Sequence, residues 1–264
     1  MSLILKHPGG FFSCCSIKLE KIVDFINRYK KVPKQISGKG IFIRYKLKGN
    51  RREDITFQYF EHPEHIFNKE YTNDTQLNFR NKYQYREYFN LDFLNLNYLI
   101  QKYFYPSKQV RRIKKNIEHK YHLDYSNTCV LFYRGNDKNR ETPICGYHEY
   151  IQYTQEVLKK NPQTKFLIQS DETQFINFMR KQFPENSFFF KDEIRHMSKR
   201  DNTVDKTMKK KNSLFSKYFL AITIIMSQCE HIICGSGNCS LWIILYRGHG
   251  NNVYQNLCNN WIVH

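Results

Sequence analysis

Three short stretches of the chain carry side chains whose types and spacing suit chemistry on a charged ligand. The first is Phe132-Tyr133-Arg134-Gly135-Asn136-Asp137-Lys138, where an arginine, an amide, an acid and a lysine crowd one turn after an apolar run. Charged groups massed at the end of a buried strand must meet solvent, each other or a ligand, because burying them alone is costly. A guanidinium there can grip a phosphate bidentately; the alternative is an Arg134–Asp137 ion pair that only holds the turn. The second stretch is Gln169-Ser170-Asp171-Glu172, whose acids face a ligand or whose Ser170 and Asp171 cap the following helix. The third is Gly235-Ser236-Gly237-Asn238-Cys239-Ser240, a glycine turn whose helix-start amides attract an anion. Glycine there serves a tight turn equally well.

Other chemistries lack their residues. The chain has no GxxxxGK[ST] loop, no HExxH helix and no GxSxG elbow. No Asp or Glu follows Glu230, so the acid that a dinucleotide site needs about 20 residues after its glycine turn is missing. The 8 cysteines include no CxxC pair, and buried free thiols in a reducing compartment are expected. A zinc site on Cys229, His231 and Cys234 is the alternative reading. Histidines such as His148 and His196 are expected on the surface or in packing.

The elements that must position these residues follow from periodicity. A strand around Leu3–Leu5, a glycine loop His7-Pro8-Gly9-Gly10 and a helix carrying Ile17, Leu19, Ile22, Val23 and Ile26 open the chain, with Pro33 as its stop. Apolar–polar alternation over residues 36–60 predicts two strands joined at Gly49-Asn50. Residues 83–119 read as helical, broken at Pro106, with Ser107 capping a basic helix from Val110. From Cys129 onward, apolar runs at 129–133, 165–169, 188–190, 231–234 and 253–255 alternate with helices at 147–160, 171–181, 214–229 and 238–246. Residues 194–212 are expected to be a mobile Lys-rich loop. Alternating strands and helices predict an α/β protein with a parallel sheet wrapped on both faces. Ligands in such sheets sit at the carboxyl ends of the strands, where all three polar stretches fall.

Length and charge bound the rest. The chain has 264 residues and a formal net charge of +18, enough for one large or two small domains with a real core. The excess of lysine comes with abundant Asn, Ile, Tyr and Phe, a mixture typical of AT-rich coding, and its field attracts phosphate-bearing small molecules as well as nucleic acid. The longest apolar run, Phe219–Met226, is too short to span a membrane, and the N-terminus lacks a secretory signal pattern. A soluble cytoplasmic protein is expected.

Taken in order, FYRGNDK (Phe132–Lys138), IQSDE (Ile168–Glu172) and ICGSGNCS (Ile233–Ser240) resemble the motifs of the fucosyltransferase superfamily that includes α1,6-, α1,2- and protein O-fucosyltransferases. The likeness spans roughly Asn127 to Gln255, and PGGFFSCCSIKL (Pro8–Leu19) resembles the family's glycine loop and helix beside the nucleotide. The family pattern HxRRxDK has Phe132 in place of its histidine and Gly135 in place of its second arginine. Ile222 stands where the family places an acid that recognises guanine.

The resemblance implies a GT-B-like architecture: a reduced N-terminal α/β domain on the acceptor side over 1–120 and a Rossmann-type nucleotide-sugar domain over 121–264. It implies an inverting, metal-independent glycosyltransferase without a cofactor. Such an enzyme moves fucose or a similar deoxysugar from a nucleoside diphosphate sugar, GDP-sugar favoured, to a hydroxyl of a glycan or glycoprotein. In this reading Arg134 contacts the diphosphate, and Asp137 and Lys138 complete the motif. Glu141, one position from a family glutamate, is the first choice of base and Asp137 the second. Gly9, Gly10, Asp171, Glu172, Ser236, Gly237 and Asn238 bind the donor, and Lys209-Lys210-Lys211 close over it. The alternatives are a basic nucleic-acid-binding protein, with Val110-Arg111-Arg112-Ile113-Lys114-Lys115 on phosphate, and a homologue that binds nucleotide sugar without turnover. Nucleic acid is the less favoured partner because no recognised binding module is present.

Overall fold

The computed structural model describes residues 2–47, 49, 52–64, 66 and 69–263. The chain opens with strand β1 (Ser2–Lys6), helix α1 (Phe11–Tyr29) and strand β2 (Gln35–Gly40), and β1 and β2 pair in parallel. The apolar stripe of α1 buries Phe12, Cys15, Leu19, Ile22, Val23 and Ile26. The helix ends before Pro33, at Lys30, whose left-handed backbone (φ 54°) lets its N–H bond to the Ile26 carbonyl.

The alternation over 36–60 does not make two strands. After β2 come two 3-10 turns, Ile43–Tyr45 and Thr56–Gln58, and then the short strand β3 (Phe60–Glu61). The reason lies in the aromatic residues: Phe42, Tyr45, Tyr59 and Phe60 gather around the Phe11 ring with centroid separations of 5.1, 5.6, 4.8 and 6.3 Å. Burying consecutive aromatics turns Ile43 (50% exposed) and Phe57 (58% exposed) outward, which breaks a strand's two-residue period. Gly49 has φ +103°; its expected turn partner Asn50 lies outside the described residues.

Two further 3-10 turns, Asn81–Tyr85 and Tyr88–Asn90, precede helix α2 (Phe93–Tyr103), which Asp92 caps. Strand β4 (Tyr105–Pro106) pairs antiparallel with β3. Ser107 caps helix α3 (Lys108–Tyr121) as expected, its Oγ accepting the Val110 N–H at 3.4 Å.

The second half is a regular alternation: β5 (Thr128–Tyr133), α4 (Tyr147–Lys160), β6 (Lys165–Ser170), α5 (Thr173–Gln182), β7 (Ser187–Phe188), α6 (Val204–Thr207), α7 (Asn212–Gln228), β8 (His231–Gly235), α8 (Asn238–Arg247), β9 (Val253–Leu257) and β10 (Asn260–Val263). These strands form a six-stranded sheet in the order β10-β9-β8-β5-β6-β7, parallel except for the antiparallel edge strand β10. Counted from β5, the parallel strands lie in the doubly wound order, with the switch between β5 and β8. Every residue of β5 is buried, as a central parallel strand covered on both faces requires. Helix α7 packs on α3 and α8, α8 packs on α1 and α2, and α4 packs on α5. One contiguous apolar core runs from Leu5 to Tyr254. Among the described residues, no helix is long and apolar enough to cross a membrane. All 8 cysteines are free, and 6 of them are buried.

Candidate active site at the carboxyl edge of the sheet

A cavity of about 430 Å³ opens where the strands end, within the roughly 300–1,000 Å³ typical of small-molecule sites. The turn after β1 contributes His7, Gly9 and Gly10; the turn after β5 contributes Arg134, Asp137, Lys138 and Glu141; β6 ends on it at Asp171; and the start of α8 brings Gly237 and Asn238. Of the eleven expected site residues, nine (all of these but His7) therefore line one cavity.

Arg134 leaves β5 beside the switch point and enters the cavity. Its Nε donates to Asp171 Oδ2 at 2.9 Å, Nη2 to Asp137 Oδ1 at 3.3 Å and Nη1 to Cys239 Sγ at 3.1 Å. The Arg134–Asp137 pair expected as the alternative is present, and the same side chain lines the cavity. Burial works against the guanidinium charge, yet Asp171, Cys239 and Asp137 outweigh it and raise its pKa, so it stays a cation. Of the five donors of an arginine, these contacts leave two.

Lys138, with its side chain 8% exposed, donates to Glu141 Oε2 at 2.6 Å and to the Tyr85 hydroxyl at 3.2 Å. Burial pushes the Glu141 pKa up, but the bonds from Lys138 and Tyr85 outweigh it and leave it below the ordinary glutamate value. Glu141 is thus a tethered carboxylate and a weak base. Gly237 leaves room for the lysine, because a Cβ there would stand 3.0 Å from Lys138 Nζ.

Two expected donor residues, Glu172 and Ser236, do not line the cavity. Glu172 is fully buried behind the wall, where Oε2 accepts the Asn136 N–H at 3.0 Å and Oε1 accepts the Tyr147 hydroxyl. Gly135 lies directly over it, and any Cβ at 135 would run into Glu172 Oε2. Asn136, with φ 40°, binds the Asp171 carbonyl at 2.7 Å and accepts the Arg200 N–H at 3.0 Å. Ser236 turns inward, donating to the Asn256 carbonyl and accepting from Gln255 Nε2, both at 2.8 Å. The first amides of α8 are likewise occupied: Gly237 N–H by the Tyr88 hydroxyl at 2.9 Å and Asn238 N–H by Gln84 Oε1 at 3.2 Å. The anion-binding role expected of those two amides is filled from within. Nor is the Ser170-Asp171 cap formed, since Glu172 occupies the N-cap position of α5 and Ser170 Oγ bonds only its N–H.

Several lining residues carry no motif signal. His7 Nε2 lies 2.8 Å from Ser13 Oγ in the first turn of α1. Gly9 makes this possible, because a Cβ there would overlap His7 Nε2. Burial, then the Arg44 charge, lowers the His7 pKa and favours a neutral ring. Arg44 and the Tyr45 hydroxyl bind Asp205 of α6 at 3.2 and 3.0 Å. Burial raises the Asp205 pKa, but Thr203, Arg44 and Tyr45 together bring it below the usual value. The stretch expected as a loop therefore carries α6 and is tied to the rim through Asp205 and Arg200. The cations it places on the cavity are Arg195 and Lys206, not Lys209, Lys210 or Lys211. Arg195 bonds the Met208 carbonyl and Asn212 Oδ1 at 2.6 and 2.8 Å and lies over the Phe215 ring.

Arg44, Arg134, Lys138, Arg195 and Lys206 face five acids, Asp137, Glu141, Asp171, Glu193 and Asp205, so the cavity itself is balanced although the chain carries +18. Among the described residues, no group of three or more His, Cys, Asp or Glu is arranged to hold a metal ion. Cys229 and Cys234 are instead buried core thiols. The fold and this edge define a mixed α/β protein with a ligand-sized cleft at the switch of a mostly parallel sheet. The chain matches no protein-family model and no curated protein.

Proposed function

We propose that the chain is a GT-B-like glycosyltransferase that binds a nucleoside diphosphate sugar in this cavity and moves the sugar to a hydroxyl of a glycan or protein. The observation that carries the reading is Arg134: a guanidinium delivered beside the switch point, braced by Asp171 and Asp137, with two donors still free. A departing diphosphate gathers negative charge, and a preorganised cation in a partly dry site stabilises it by several kcal/mol. Arg195 and Lys206, which form no ion pair among the described residues, add the positive charge that Arg134 and Lys138 share with acids. The reading of the three motifs as fucosyltransferase-like adds a deoxysugar as the group transferred and GDP as the favoured carrier.

The rival partner, nucleic acid, loses support on α3. Arg111 is bound to Glu61 at 2.8 Å, Lys114 to Glu118 at 2.5 Å, and Lys120 to Asp192 and Glu193 at 2.8 Å. Of the four cations in the expected phosphate-contacting stretch, Arg111 and Lys114 are thereby engaged, whereas Arg112 and Lys115 form no ion pair among the described residues.

Thermal shift against GDP-, UDP- and dTDP-sugars tests the reading. One donor class is expected to raise Tm, by the linkage of binding to stability. Arg134→Lys, which keeps a charge but loses the planar fork, is expected to weaken that donor at least tenfold. No stabilisation of the wild-type protein by any of the donors, or tight RNA binding with a steep salt slope, refutes it.

A further inference from the structure

We infer that His7, paired with Ser13, is the group that takes the proton from the acceptor hydroxyl. The inference rests on the transferase reading and deepens it, since transfer to a hydroxyl needs a base beside the sugar. Each carboxylate on the cavity is already committed to a cation. Asp137 and Asp171 hold Arg134 at 3.3 and 2.9 Å, Glu141 holds Lys138 at 2.6 Å, Asp205 holds Arg44 at 3.2 Å, and Glu193 holds Lys120 at 2.8 Å. A carboxylate so engaged gives up an ion pair whenever it accepts a proton. Tyr45 and Tyr85 are held protonated, first by burial and then by the neighbouring carboxylates, so they act as donors.

His7 is different in each respect. It lines the cavity and makes no ion pair among the described residues; its one side-chain bond is the 2.8 Å contact between Nε2 and the Ser13 hydroxyl. The ring is folded back over Gly9 toward the first turn of α1, a position that glycine alone permits. Ser13 Oγ meets the ring and the Arg44 charge reaches it, while the Cys14 thiol bonds the His7 carbonyl; Tyr45 and Asp205 line the same cavity and are bonded to each other, Asp205 also to Arg44. Burial and the Arg44 charge keep the resting ring neutral and so able to accept a proton.

His7 accepts the proton of the acceptor hydroxyl; the freed oxygen forms a bond to the anomeric carbon; and the bond from that carbon to the diphosphate oxygen breaks, its electron pair leaving on the diphosphate beside Arg134. The His7 proton then passes to solvent. Because Nε2 is occupied by Ser13 Oγ, the proton goes to Nδ1, with Nε2–H donating to the serine; Ser13 is thus a positioning residue.

The test compares wild type, His7→Ala, His7→Asn and Ser13→Ala for donor-induced thermal shift and for transfer rate across pH. Wild-type kcat is expected to fall on the acid side, below the ordinary histidine value of 6.5, because protonated His7 accepts nothing. His7→Asn and His7→Ala are expected to lose kcat by about 10²–10⁴ and to lose that acid limb, while the donor still raises Tm. Free imidazole is expected to restore part of the His7→Ala rate, a recovery that a purely structural role for the ring does not produce. Ser13→Ala is expected to lower kcat while shifting the acid limb. If His7→Asn keeps both the wild-type rate and the acid limb, the inference is wrong and the transferase reading stands. If no donor stabilises the wild-type protein, the transferase reading itself falls, and that failure shows before any substitution is made.

Discussion

Two strand-to-helix turns border the cavity, and they are built differently. At the β8–α8 turn the first amides are already bonded, Gly237 N–H to the Tyr88 hydroxyl and Asn238 N–H to Gln84, and Ser236 points into the interior. At the β1–α1 turn the N-cap Gly10 supplies no side-chain bond, and His7 and Ser13 stand at the mouth of the helix. With two glycines each, the β8–α8 turn is thus closed upon itself, whereas the β1–α1 turn lines the cavity with both of its glycines. Glycines in such turns serve whatever needs the space, and at 9 and 237 that is a neighbouring side chain of the protein: the His7 ring and the Lys138 amine.

The sharpest way to break this comparison is to fill the two glycines of the open turn in parallel. Gly9→Ala must displace the His7 ring, and transfer is expected to fall about a hundredfold, the scale of losing a positioned base. Gly10→Ala, whose Cβ would meet nothing nearer than the Tyr45 hydroxyl at 4.0 Å, is expected to leave the His7 ring in place and to lower the rate far less. Equal losses in both would mean that the glycines bind the donor directly. Opening the closed turn is the next largest change. Tyr88→Phe strips the buried Gly237 amide of its partner and is expected to cost about 1–3 kcal/mol, read as a lower midpoint in denaturant.

A smaller effect comes from α1 itself. Lys18 is buried beneath the open turn's helix, bonded to the Tyr103 carbonyl at 3.1 Å and lying over the Phe104 ring, and burial lowers its pKa to about 8. Because the folded-state value is the lower one, the unfolded chain holds more protons above pH 8. Stability is therefore expected to rise from pH 8 toward 9, by about 1 kcal/mol per pH unit at most. Lys18→Met should flatten that slope in denaturant titrations at each pH.

Much of the second half was legible because its strands are buried on both faces and read as unbroken apolar runs; β5, β6 and β8 fall within a residue or two of the expected spans. The first half misleads, since Phe42, Tyr45, Tyr59 and Phe60 bury as a cluster around Phe11 and imitate strand alternation. At the site, Arg134, Asp137, Lys138, Glu141 and Asp171 come together as their spacing after strands predicts. The inward turn of Glu172 and Ser236 was not legible, because which of two adjacent polar residues faces the cavity depends on distant partners, Tyr147 and Asn256. Gln84, Tyr85 and Arg44 come from irregular segments far along the chain and carry no local signal. His7 was visible as part of a glycine loop; the 2.8 Å contact with Ser13 that sets it apart required coordinates.

The overlap that any Cβ at Gly135 would make with Glu172 Oε2 also constrains how this protein can change. Positions 135 and 172 are thus coupled: any side chain at 135 requires the Glu172 carboxylate to move aside or be shortened, and either change takes from the Asn136 amide its acceptor.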